Sequence, residues 1–205
     1  MVHALQLREA IVAAESSALL LSRPVSAARL TGDGAAAFLH NMLTADVSSL
    51  VEYEVAHASL TDARGAMVDL LTLLRLGGRS DDVDAGFLAI GSHEAPLAAM
   101  LDKFVFPADR VSVSDVSDGL EWLEVVGPLA RDVVSRSGCG ALPSNRCARI
   151  DEGTVAFGAG SLGYEAQSLL LRRGLQADKA AALRIGVLDA GGVAADKTPD
   201  AWELL

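Results

Sequence analysis

The sequence predicts an α+β fold with antiparallel sheets, and three observations carry that prediction. Residues 55–76 read VAHASLTDARGAMVDLLTLLRL, two strand-like runs flanking Asp62-Ala63-Arg64-Gly65. A type I turn with glycine where the backbone needs a positive φ makes this pair a hairpin. Residues 154–160 (TVAFGAG) and 164–173 (YEAQSLLLRR) are two more strand-like runs around a glycine-rich bend. Helices and strands also mix along the chain without the strict β-α-β alternation that a doubly wound parallel sheet requires.

The elements follow in order. Residues 33–43 (DGAAAFLHNML) form a helix that Asp33 can cap, with Ala35, Phe38, Leu39, Met42 and Leu43 at helical spacing. After the hairpin comes a polar loop, GGRSDDVD, and a short buried strand, AGFLAIGS. A second helix within SHEAPLAAMLDKF starts near Ser92 or His93 and puts Leu97, Met100, Leu101 and Phe104 on one face. RVSVSDVS alternates at period two and is a strand, as is LEWLEVVG. Gly127 and Pro128 open a helix that Gly138 closes. DKAAALRIGVLDAGG is a helix with a double-glycine stop. The last residues, TPDAWELL, start a helix with Thr198 as N-cap and Pro199 in the first turn, and end on two leucines.

Composition narrows the function. Hydrophobic residues make up 51% of 205, enough for a core without staples. Seventeen basic against 27 acidic residues leave a net charge of −10, which repels nucleic acid backbones and anionic lipid surfaces. No apolar run approaches the roughly 20 residues of a membrane span, and the charged N-terminus does not read as a signal peptide. The expectation is a cytoplasmic, soluble chain. Cys139 and Cys147 lack C-x-x-C spacing, and His3, His40, His57 and His93 do not cluster with them, so no metal is assigned.

Gly158-Ala159-Gly160-Ser161-Leu162-Gly163 fits G-x-G-x-x-G, with Asp178 about 20 residues on. A dinucleotide site would require a helix to follow. YEAQSLLLRR is better as a strand, so the glycines are read as a turn between antiparallel strands.

Asp69 is conspicuous on chemical grounds. The run AMVDLLTLL is apolar apart from Asp69 and Thr72. A carboxylate buried there is costly and suited to proton transfer; on an exposed edge strand it would simply face solvent. The residues alone leave both open.

Several stretches, in one order from about Ser17 to Leu205, resemble the glycine-cleavage T-protein (aminomethyltransferase) superfamily. They are ARLTGDGAAAFLHNMLTADVSSL, LTDARGAMVDLLTLLRL, the run DKFVFPADRVSVSDVSDGLEWLEVVGPLARDVV, and GSLGYEAQSLLL. Within it, the chain is most similar to the folate-binding branch linked to iron–sulfur protein assembly and repair. The resemblance implies a T-protein-like folate-binding fold of ferredoxin-like modules around a cavity for tetrahydrofolate. It implies a first module over 1–117 and a second over 118–205, incomplete at its C-terminus. It makes Asp69 the catalytic acid and a folate contact, and Asn41, Leu71, Ser161 and Tyr164 cofactor-binding candidates. Ser161 stands where the enzymes carry a pterin-gripping glutamate, and Ala45 replaces the asparagine of a Thr-Asn-Asp-Val loop in which Thr44 and Asp46 remain.

The function so implied is a tetrahydrofolate-binding protein supporting iron–sulfur protein assembly or repair, with an iron–sulfur or one-carbon partner protein. The alternatives are a folate-dependent aminomethyltransferase or methyltransferase, or a folate-free interaction domain. The ending on AWELL implies a C-terminally truncated chain, with self-association through its apolar end.

Overall fold

The computed structural model describes residues 2–77, 86–91, 96–161 and 164–195, with 2–7 and 159–161 described by their backbone alone. In chain order the elements are α1 (Val2–Ser16), β1 (Leu19–Arg23), β2 (Ser26–Thr31), α2 (Ala35–Met42), β3 (Val55–Thr61), β4 (Met67–Leu76) and β5 (Gly86–Gly91). There follow α3 (Leu97–Asp102), β6 (Ser112–Asp115), β7 (Leu120–Val126), α4 (Ala130–Arg136), β8 (Cys147–Asp151), β9 (Thr154–Ser161), β10 (Tyr164–Arg172), α5 (Ala177–Asp189) and β11 (Val193–Ala194). The chain divides into two compact units: residues 24–119, and residues 1–23 together with 120–205.

The 24–119 unit is a five-stranded sheet in the order β3-β4-β5-β2-β6, antiparallel throughout. The expected hairpin is its β3–β4 pair. Gly65 has φ +80°, and its amide donates to the Asp62 carbonyl at 2.9 Å. Alternation then sets the core: Ala28, Leu30, Leu71, Leu73, Phe87 and Ala89 bury one sheet face under Phe38 and Leu39 of α2 and Leu97 and Leu101 of α3. Asp33 does not cap α2; Gly34 occupies the cap position with no side-chain bond. A β-carbon on Gly34 would collide with the Asp109 carbonyl, so close packing rather than capping chemistry decides that residue. Phe104 also departs from expectation, lying past the end of α3 and half-exposed.

The other unit is a six-stranded sheet, order β11-β1-β7-β10-β9-β8, antiparallel except for the β1–β11 pair. Leu20, Leu123, Val125, Leu169 and Leu171 face Val133 and Val134 of α4 and Leu183 and Val187 of α5. Helix α4 stops before Gly138, and α5 stops two residues before Gly191, as expected. Elements α1, β1, β11 and β8, which begins at Cys147, lie outside the sequence expectation. A division at 117/118 would put the first 23 residues with 24–119. They belong instead with 120–205, because β1 pairs along β7 from Leu19↔Val126 to Arg23↔Trp122.

Residues 158–161 form the end of β9 rather than a turn, with Ser161 paired to Tyr164 of β10, so a strand follows where a dinucleotide site needs a helix. Among the described residues no helix is long and apolar enough to cross a membrane. Residues 78–84 of the expected polar loop, Ser92 and His93, and the whole of TPDAWELL lie outside the described residues.

Candidate functional site

In the 24–119 unit the site is built on the β3–β4 hairpin. Its turn is fixed by Asp62, whose Oδ1 accepts from the amides of Arg64 (2.8 Å) and Ala66 (2.9 Å). Those amides, Ala66 first, hold the Asp62 carboxyl below its usual value. From that turn β4 runs back between β3 and β5. The ladder shifts register between Leu60↔Asp69 and Thr61↔Met67, leaving Val68 as an extra residue beside Asp69. Such a bulge re-aims the neighbouring side chain.

Asp69 faces inward. It is only 7% exposed and shares a face with the fully buried Leu71 and Leu73, while Val68 and Leu70 point outward. The solvent-facing alternative is thus excluded. Oδ1 accepts the Leu70 amide at 2.8 Å, and the carboxylate lies against Gly91 on β5, where no side chain intervenes. The face therefore holds a carboxylate acceptor beside apolar side chains, able to accept from an N–H donor.

Asn41 sits elsewhere. It is exposed on α2 and lines an open groove of about 470 Å³ with Phe38, Met42, Phe104, Phe106 and Arg110. Asp69 and Leu71 are not among that groove's lining residues. The Thr44–Val47 loop has structural work. Thr44 donates its amide to the Ser59 carbonyl (3.1 Å) and accepts the Ser59 amide on Oγ1 (3.0 Å), extending the sheet edge at β3. Asp46 accepts from Ser48 (2.5 Å), the largest cause of its lowered pKa, and lies 3.3 Å from His40.

The remaining candidates belong to the other unit. Tyr164 is half-buried at the start of β10, and its neighbour Glu165 pairs with Arg131 at 3.4 Å. The Ser161 side chain lies outside what the structure describes. Cys139 and Cys147 are both buried and form no disulfide with each other; burial pushes both thiols up, Cys147 to about 11, which disfavours the thiolate at neutral pH.

Sequence reasoning missed Glu124. This residue is 2% exposed in the middle of the sheet. Its Oε2 accepts from Arg23 Nη1 at 3.0 Å and its Oε1 from the Ser168 hydroxyl at 3.3 Å. Arg23 also stacks 4.7 Å over the Trp122 ring, whose buried Nε1 has no hydrogen-bond partner among the described residues. Burial raises the Glu124 pKa against the opposing pull of Arg23 and Ser168. A partial signal was present: in LEWLEVVG, period-two spacing puts Glu124 on one face with Trp122 and Val126.

The profile of the GCVT N-terminal domain family matches residues 3–165. No curated protein sequence matches the chain. The fold is similar to that of the glycine cleavage system aminomethyltransferase T from Bartonella henselae, with a TM-score of 0.74 and 20% identity over 87% of this chain. The chain spans about half of that structure, 48% of its length. It is also similar to heterotetrameric sarcosine oxidase from Corynebacterium sp. U-96 in complex with pyrrole 2-carboxylate, at a TM-score of 0.56 and 15% identity over 85% of this chain and 86% of that one.

Proposed function

We propose that this chain, which belongs to the GCVT N-terminal domain family, binds tetrahydrofolate through Asp69. The observation that carries the proposal is the inward carboxylate on β4, 7% exposed and continuous with an apolar wall. Burial of a carboxyl in a strand that apolar residues would stabilise better is a cost that a ligand-recognition role accounts for. Asp69 would accept a hydrogen bond from a ring N–H beside the reacting amine, while Leu71 supports the wall behind it. Tetrahydrofolate, when bound, supplies the nitrogen that accepts a one-carbon unit. The family resemblance adds Asn41, Ser161 and Tyr164 as further proposed folate contacts.

Binding rather than fast transfer is the favoured activity, because Ser161 offers one neutral hydroxyl where a glutamate would offer two charged acceptors. The physiological role proposed from the branch resemblance is support of iron–sulfur protein assembly or repair in the cytoplasm, alongside a partner protein. Aminomethyl transfer from a one-carbon donor is the second reading, carried by the fold likeness to aminomethyltransferase T. Calorimetric titration with tetrahydrofolate, using NAD as the control ligand, tests the proposal. Saturable heat with tetrahydrofolate alone is expected. Heat with NAD alone, or with neither, contradicts it.

A further inference from the structure

Resting on the folate reading of Asp69, we infer that Gly91 is a positioning residue, whose missing side chain makes the room that the Asp69 carboxyl occupies. Gly91 is buried at the end of β5. Its φ is not among the positive values, so the backbone does not call for glycine there. The space does. A β-carbon on Gly91 would run into Asp69 Oδ2 and come within 3.3 Å of Asp69 Cγ and 3.0 Å of Leu71 Cδ2. Other tightly packed glycines of the chain, such as Gly34, Gly86 and Gly158, meet backbone carbonyls. Among the described glycines only Gly91 would meet a carboxylate.

The ladder explains why these two residues meet. Thr72 pairs with Ile90, so one step further sets Leu71 against Gly91, and Asp69 shares Leu71's face two residues on. On the other side of β5, Gly91 pairs with Ser26, whose Oγ accepts the Leu97 amide at 3.1 Å. Strand β5 therefore cannot readily retreat, and the movable atoms are those of the Asp69 carboxyl. An added methyl would turn that carboxyl out of place and break its 2.8 Å bond from the Leu70 amide. Gly91→Ala is thus a way to move the acid without changing it.

The test is a cycle of wild type, Gly91→Ala, Asp69→Ala and the double variant, read two ways. Tetrahydrofolate affinity is measured by calorimetry, and the Leu70 amide resonance and its hydrogen exchange are followed by NMR without ligand. Gly91→Ala is expected to weaken binding about tenfold to a hundredfold, the effect of a misplaced contact group, and to shift the Leu70 amide and speed its exchange. In the Asp69→Ala background, which has room for the methyl, the same change should cost nothing further. An equal loss in both backgrounds overturns the inference. So does an unmoved Leu70 amide in Gly91→Ala. If the wild type does not bind tetrahydrofolate, the folate reading fails, and the Leu70 amide still decides the positioning. If Gly91→Ala does not fold, folding of the double variant supports the inference, and its failure to fold overturns it.

Discussion

At Glu124, burial and pairing pull in opposite directions, and burial wins, leaving its pKa raised. A carboxyl whose folded pKa exceeds its unfolded value contributes stability that is fully present below the unfolded value. That contribution is lost as pH rises through the folded one. Glu124→Gln cannot titrate and should lack this loss. Denaturation at pH steps from about 4 to about 8 should therefore show the wild type losing stability relative to Gln as pH rises; parallel curves would contradict the assignment. Arg23→Leu should be the more damaging change, because it strands a buried carboxylate. The expected cost is about 3 kcal/mol, the low end for a broken buried pair, since a third of the Arg23 side chain meets solvent. Adding Glu124→Leu should recover much of that loss in the same denaturation measurement.

The β3–β4 hairpin couples the core to the candidate site. Leu71 has no exposed surface and packs with Leu30, Phe38 and Leu39, so Leu71→Ala should cost about 2–5 kcal/mol by denaturant unfolding. Asp69, two residues away on the same face, is already polar in an apolar wall. Asp69→Asn preserves its shape and should leave the thermal midpoint within a few degrees of wild type. A large drop would make Asp69 a structural residue. The β9–β10 hairpin makes the complementary prediction. Ser161→Glu introduces the charge that a pterin-binding turn would use, so tetrahydrofolate should bind more tightly in calorimetry. Unchanged or weaker binding by the folded variant would remove this turn from the site.

Across the whole molecule, features set by neighbours in sequence were legible and features set by distant pairing were not. The Asp62–Gly65 turn, the apolar face of α2 and the antiparallel strands around Gly158–Gly163 all follow from local chemistry. The split unit does not: β1 joins β7 about a hundred residues on, and Leu19-Leu20-Leu21 gives no alternation to announce a partner. Gly34 was hidden for a similar reason, since its role depends on the backbone of Asp109. Of the candidate site, Asp69 was readable because a lone acid in an apolar run is anomalous, whereas its inward direction needed the register and bulge of β4. Glu124 was harder to read, because Glu121 in the same strand means that it is no lone acid in an apolar run. The proposed function stands or falls with tetrahydrofolate recognition by the inward acid on β4. Parallel calorimetry of wild type and Asp69→Asn at equal folded fraction tests it most directly. Saturable binding by the wild type and at least about tenfold weaker binding by the variant are expected, the scale of one lost charge-assisted hydrogen bond. Equal affinities for the two proteins would contradict it.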